Sequence, residues 1–276
     1  MAYKHERVLM CPPDYFSVEH VLNPWMAGNE GSLDQARAQS QWMQLYESIA
    51  KVADIELLEP QPGLPDLVFT ANAGFVCGRT VVPSHFMPQE RRGEEVYLKQ
   101  WLADRGFQLR LLPDDIGFEG AGDCLIDRGG TWLWTGYGFR TEIESHALLE
   151  EWFAREVVSV RLIDPRFYHI DTCLCPLSGG YLLYYPQAFD QASIEAIEKR
   201  VPANQRILVS AEDAAAFACN AVNIDEHIFL HECSATLHTE LVRLGFDVHE
   251  IPLTEFLKSG GSAKCLTLKL TEIETD

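Results

Sequence analysis

Positive charge is scarce in this chain: 22 Lys and Arg stand against 41 Asp and Glu over 276 residues, a formal charge of -19. Such a surplus of carboxylates repels phosphate backbones and anionic lipid surfaces and attracts small cationic ligands. Neither nucleic acid nor a membrane is expected as a partner. Long apolar runs are missing too. Nowhere do about 18 apolar residues run together as a spanning helix requires, and MAYKHERVLMCPPDYF has no uninterrupted apolar stretch of secretory-signal length. A cytoplasmic protein is the expectation. The eight cysteines include no CxxC pair that could complete a zinc site, so they read as reduced core thiols, and neither a metal nor a cofactor is expected. What the chain does have is material for a core. With 47% apolar residues it can fold as one domain over 1–276 without metal or disulfide support, and its composition is compatible with a homo-oligomer.

The punctuation repeats. GFQLRLLPDDIGFEGAGDCLI (106–126) and GFDVHEIPLTEFLKSGGSAKCLTL (245–268) share one layout: Gly-Phe, a short alternating strand, Pro, an acidic loop, a glycine-rich turn, then Cys heading an apolar strand. Each follows an amphipathic segment that ends on a glycine, the usual helix stop. A third copy starts at a capping box of Ser32 and Gln35, with Trp42, Leu45, Ile49 and Val52 at helical spacing, and continues through IELLEP to DLVFTANAGFV. Two more run from EIESHALLEEWFA and from SIEAIEKRV. Pro60, Pro113, Pro165 and Pro252 close the first strands at gaps of 53, 52 and 87 residues, the last spanning two units because one copy has no proline. A fixed period of about 50 residues marks one supersecondary unit stacked on its neighbours. The expected arrangement is a ring of five ββαβ-like units around a pseudo-fivefold axis, some units gaining a further strand through hairpins that turn on Gly-Gly in LIDRGGTWLWTG and LCPLSGGYLLYYP. The alternative is an ordinary α/β sandwich with coincidental prolines.

In such a ring, loops at one phase of the repeat converge on the axis. Copy by copy that phase holds Asp66 and Asn72, Glu119 and Asp123, His169 and Asp171, Asn220 and Asn223, and Cys265. Singly these are ordinary: an Asp before a strand is usually a turn residue, and a lone His or Cys is usually packing. Together they gather carboxylates, an imidazole and a thiol, a set suited to nucleophilic catalysis. The carboxylates discourage thiolate formation unless the substrate itself is a cation. A guanidinium, planar and matched to bidentate carboxylates, answers that requirement.

The motifs LPDLVFTANAGFV, FEGAGD, GFR, YHIDTCLCPL and GGSAKC resemble those of the guanidine-modifying enzymes, the pentein or amidinotransferase superfamily, nearly throughout the chain and in the family's order. The resemblance implies a five-bladed α/β propeller acting on a small cationic guanidino substrate. It implies that Cys265 attacks the guanidinium carbon, that His169 protonates the leaving amine and then activates water, and that Glu119 and Asp66 hold the substrate nitrogens. Arg91 in QERRGEE and Arg140 in GFRTE take the place of the family's clamps for the substrate α-carboxylate, with Arg92 the rival of Arg91. Asp123 and Asp171 could bind substrate, orient His169 or satisfy loop amides; Trp25 and Phe69 are candidate pocket aromatics.

One position departs from the dimethylarginine hydrolases and arginine deiminases, which carry Asp where this chain has Asn72. TANAG is more similar to the arginine dihydrolases of cyanobacteria and to succinylarginine dihydrolases, and Asn23 in VLNPWM matches a substrate-contacting asparagine of the former. An amide both donates and accepts, and so can hold a neutral ureido group for a second attack. Arginine dihydrolysis to ornithine, carbon dioxide and ammonia is therefore the expected reaction. The alternatives are a citrulline-forming dimethylaminohydrolase or deiminase, an amidinotransferase, and a propeller-fold binding protein without activity.

Overall fold

The structure, a computed structural model, describes residues 6–271, so the ends of the expected 1–276 domain lie outside it. Fifteen strands are present among the described residues: β1 (Arg7–Met10), β2 (Asp54–Leu57), β3 (Gly74–Cys77), β4 (Thr80–Pro83), β5 (Gln108–Leu109), β6 (Cys124–Ile126), β7 (Leu133–Tyr137), β8 (Val157–Arg161), β9 (Leu174–Leu177), β10 (Tyr181–Tyr184), β11 (Arg206–Leu208), β12 (Val222–Ile224), β13 (His227–Leu230), β14 (Asp247–Glu250) and β15 (Leu268–Thr271). They form five three-stranded sheets: β15-β1-β2, β3-β4-β5, β6-β7-β8, β9-β10-β11 and β12-β13-β14. In every sheet the middle strand pairs antiparallel with the first and parallel with the third. A parallel pair needs a crossover. The helices Gln35–Ile49, Arg92–Asp104, Glu144–Phe153, Gln191–Arg200 and Ala235–Arg243 supply one per blade. The fold is the expected five-bladed α/β propeller.

Its details differ from the sequence reading in three ways. A third strand is present in every blade rather than in some: β3–β4 and β12–β13 turn on two residues, Gly78-Arg79 and Asp225-Glu226, with Gly78 and Asp225 at positive φ as tight hairpins require. The first blade is completed by β15 lying antiparallel to β1, which closes the ring. The first long helix is capped by Asp34, whose carboxylate accepts from Arg37 N at 3.0 Å; Ser32 instead donates to the Asn29 carbonyl. That helix buries Ala38, Trp42, Leu45 and Ile49, one stripe at helical spacing.

First strands face the axis. β15 lies against β3, β6 against β9 and β9 against β12, whereas the parallel third strands lie at the outer edge of each sheet. Apolar side chains fill the spaces between sheets and helices; Trp134, Tyr184, Phe86 and Phe256 are among the largest fully buried ones. The chain therefore enters each first strand at the hub through a short turn, and those turns carry the polar residues.

Candidate active site

Single-turn 3-10 helices precede three of the hub strands: Pro65–Val68 and Thr70–Ala73 before β3, Gly120–Gly122 before β6, and Ile170–Thr172 before β9. Turns at 216–220 and 263–266 precede β12 and β15. Asp66, Asn72, Glu119, Asp123, His169, Asp171, Asn220 and Cys265 all lie in or beside them, and none is more than 6% exposed. Burying so many ionisable groups is costly unless each is satisfied or used. Here most are satisfied by one another.

Glu119 Oε2 lies 2.7 Å from His169 Nε2 and accepts from Arg140 at 3.0 Å, while Oε1 accepts from Met87 N at 3.3 Å. Asn72 uses both ends of its amide: Nδ2 donates to the Glu119 carbonyl and Oδ1 accepts from Arg91, each at 2.9 Å. Arg91 makes a bidentate pair with Glu94 at 2.8 Å for both bonds and donates to the Asp66 carbonyl at 3.2 Å. Its rival Arg92 donates to the Phe86 carbonyl and is not part of this network. Arg140 also donates to the Leu22 carbonyl at 2.7 Å and stacks over Tyr168 at 4.8 Å. Gly122 makes this packing possible, because a Cβ there would come within 2.6 Å of Asn72 Nδ2 and 3.1 Å of His169 Nδ1.

The thiol has its own surroundings. Cys265 does not head β15; it sits in the turn 263–266, three residues earlier, because the chain after Gly261 makes a helical turn in which Leu266 N donates to the Ser262 carbonyl. Cys265 Sγ lies 3.5 Å from Asp171 Oδ2 and 3.2 Å from Asn220 Nδ2, and Asn220 Oδ1 accepts from the backbone N–H groups of Ser262 and Cys265 at 3.0 and 3.2 Å. Asn220 thus bolts the thiol turn to the neighbouring blade. Asp171, two residues beyond His169, links the two halves of the site. Asp123 supports the His169 segment from below, accepting from Ile170 N at 3.0 Å.

A small open cavity lies beside these networks, lined by Asn23, Asp66, Phe69, Asn72, Arg91, Arg140, Tyr168 and Cys265, with Glu119, His169 and Asp171 set behind its wall. Asn23 Nδ2 donates to the Ser259 carbonyl at 2.9 Å at its rim. The Asp66 carboxylate has no hydrogen-bond donor among the described residues, and burial raises its pKa above the ordinary 3.8. Burial alone would raise Glu119 as well, but Arg140, His169 and Arg91 outweigh it and hold its carboxyl at about 2. Asp171 is pushed up to about 7 and Asp123 to about 6, both chiefly by burial. Cys265 rises well above its usual 9.0, through burial first and the Asp171 charge second. The resting thiol is therefore protonated, and a cation arriving in the cavity is what would ease its ionisation.

Of the residues singled out in the sequence, Phe69 lines the cavity, whereas Trp25 packs edge-on against Phe217 and donates to the Arg166 carbonyl. Asn223 faces away, into the Ser178 and His227 turns. The sequence reading missed Glu94, hidden in a charged stretch, and Tyr168, whose hydroxyl donates to the Gly260 carbonyl at 2.8 Å. It also left Asn220 without a role, although the repeat had placed it at the right phase.

The family model of eukaryotic N,N dimethylarginine dimethylhydrolases matches residues 16–272. The chain belongs to this family. Within and around it, the bifunctional arginine dihydrolase/ornithine cyclodeaminase ArgZ of Synechocystis sp. is 56% identical over 266 residues, covering 96% of this chain. The chain spans 38% of the length of that relative. The N(G),N(G)-dimethylarginine dimethylaminohydrolase of Mycobacterium tuberculosis is 37% identical over 265 residues, 96% of this chain and 85% of that protein. Among solved structures, the N-terminal domain of ArgZ, as a cysteine-to-serine mutant bound to substrate, superposes with a TM-score of 0.96 at 55% identity, covering 97% of this chain and 98% of that one.

Proposed function

We propose that this chain is an arginine dihydrolase, converting L-arginine and two waters to ornithine, carbon dioxide and two ammonias. The observation that carries the reading is Asn72, an amide rather than a carboxylate, set at the cavity wall between Arg91 and Glu119. The 56% identity to a relative named as an arginine dihydrolase supports it.

In this mechanism the guanidinium enters between Asp66 and Glu119, and Arg91, Arg140 and Asn23 orient the amino-acid end. The thiol proton passes to Asp171, the acceptor it already faces. Cys265 Sγ attacks the guanidinium carbon, and the tetrahedral adduct expels ammonia with a proton from His169, which Glu119 holds in place. Water deprotonated by His169 then attacks the S-linked amidinium and releases citrulline and the thiol. In the second round Sγ attacks the ureido carbon, a second ammonia leaves, and water cleaves the thiocarbamate to a carbamate that breaks down to ornithine and carbon dioxide. An Asp at position 72 would favour the cation over the neutral ureido group; an amide holds either. None of the eight cysteines forms a disulfide, which suits a reducing cytoplasm, and among the described residues no helix is long and apolar enough to cross a membrane.

The test is product stoichiometry. Two ammonias per arginine with ornithine accumulating is the expected result; one ammonia with citrulline accumulating overturns it in favour of a deiminase. Dimethylamine released from dimethylarginine at a higher kcat/KM than arginine turnover would favour the dimethylaminohydrolase reading that the family match raises. Asn72→Asp is expected to stop the wild-type reaction at citrulline.

A further inference from the structure

Away from the cavity, at the outer side of the last complete blade, β13 and β14 bring three metal-ligating side chains together. The strands are parallel and in register, with His227 opposite Asp247 and Phe229 opposite His249. Alternation along a strand puts Asp247 and His249 on one face. The donor atoms converge: His227 Nδ1 lies 3.1 Å from His249 Nε2 and 3.2 Å from Asp247 Oδ2, and His249 Nε2 lies 3.2 Å from the same oxygen. A cation bonded at about 2.1 Å to three ligands holds them about 3.0 to 3.4 Å apart, the lower figure for octahedral and the upper for tetrahedral angles. This triangle falls inside that range.

We infer that His227, Asp247 and His249 form a surface site for a borderline divalent transition-metal ion such as zinc, with solvent completing the coordination. Two imidazoles and a carboxylate are the ligand types such ions take. The His249 ring is held in place before the ion arrives, because it stacks on Phe229 with centroids 4.7 Å apart and planes 12° from parallel. The acidic surface of the chain concentrates cations around it. Bound there, the ion would pin β14, an edge strand of its sheet, to β13. A second group, Cys233, His238 and Glu250, is less regular: Sγ lies 3.9 Å and His238 Nδ1 2.8 Å from the same Glu250 oxygen.

Chelator-treated full-length protein is titrated with zinc chloride by calorimetry and with cobalt(II) by visible absorption. A single zinc ion per chain is expected, weakened about tenfold or more by His249→Ala and by Asp247→Asn, which preserves side-chain shape. The cobalt spectrum is expected to show no thiolate charge-transfer band, and metal-free His249→Ala to turn over arginine at the wild-type rate. Undiminished binding in both variants, a thiolate band with binding lost in Cys233→Ser instead, or no saturable binding by the wild type would each overturn the site. If His249→Ala does not fold, Asp247→Asn and His227→Gln decide the matter. The metal-binding readouts are independent of the proposed reaction.

Discussion

The loops entering β6 and β15 are two versions of one motif, and they put their cysteines to different ends. In the first, Cys124 comes two residues after Gly122, heads its strand, and is buried against Thr135 Oγ1 at 3.6 Å. In the second, Cys265 comes four residues after Gly261, and the two extra residues build the helical turn that lifts the thiol out of the strand to the cavity wall. The glycines serve both loops alike, by allowing close approach: a Cβ on Gly261 would come 2.6 Å from the Phe69 ring and 3.2 Å from Cys265 Cβ, much as one on Gly122 would strike Asn72 and His169. Two further residues in a repeated frame are enough to move a thiol from the strand core to the cavity wall.

The strongest way to break this comparison is to exchange both thiols. Cys265→Ser is expected to lose about 10³-fold or more in kcat with the fold intact by circular dichroism. Cys124→Ala should keep near-normal turnover and lose about 1 kcal/mol of stability in urea unfolding. Equal loss of activity in the two would erase the distinction. The next test addresses the glycines. Gly122→Ala displaces His169 or Asn72 and should lower kcat/KM about 100-fold, since misplacing a reacting group by an ångström has that effect; a change smaller than twofold would mean the loop adapts.

The smallest effect concerns Asp171, which lies beside Cys265. Its carboxyl ionises at about 7 in the folded protein against an ordinary 3.8. Between those values the folded state holds a proton that the unfolded chain has released, so the native state loses stability as pH rises from about 4 to 7 and carries the full penalty above it. Asp171→Asn removes this penalty. The variant should be more stable than the wild type at pH 8, by about 4 kcal/mol in urea unfolding at ~1.36 kcal/mol per pKa unit, and match it near pH 4. A variant less stable than wild type at both pH values would show the carboxylate to be well accommodated in its charged form.

The architecture was largely legible because prolines and glycines mark the ends of strands and helices by local sterics, and those marks recur. Two hairpins escaped notice because Gly78-Arg79 and Asp225-Glu226 are weaker turn signals than Gly-Gly. The join of β15 to β1 links residues more than 250 positions apart and leaves no local trace. At the site, Cys265, His169 and Glu119 stood out by chemical type and phase. Asn220 did not, because an asparagine in a loop is commonplace, and its value lies in touching Cys265 Sγ and two backbone amides of the next blade. Glu94 was hidden for a similar reason: charged stretches usually face solvent, and only packing shows that it is buried against Arg91.

Ring closure by β15 has a sequential side. Along the chain the acidic wall, the imidazole and the amide that grips the sulfur all precede Cys265, whose turn leads into the strand that pairs with the first. On the proposed mechanism a chain extended only to residue 262 would carry those groups without the sulfur, so the site is completed by the same segment that seals the circle.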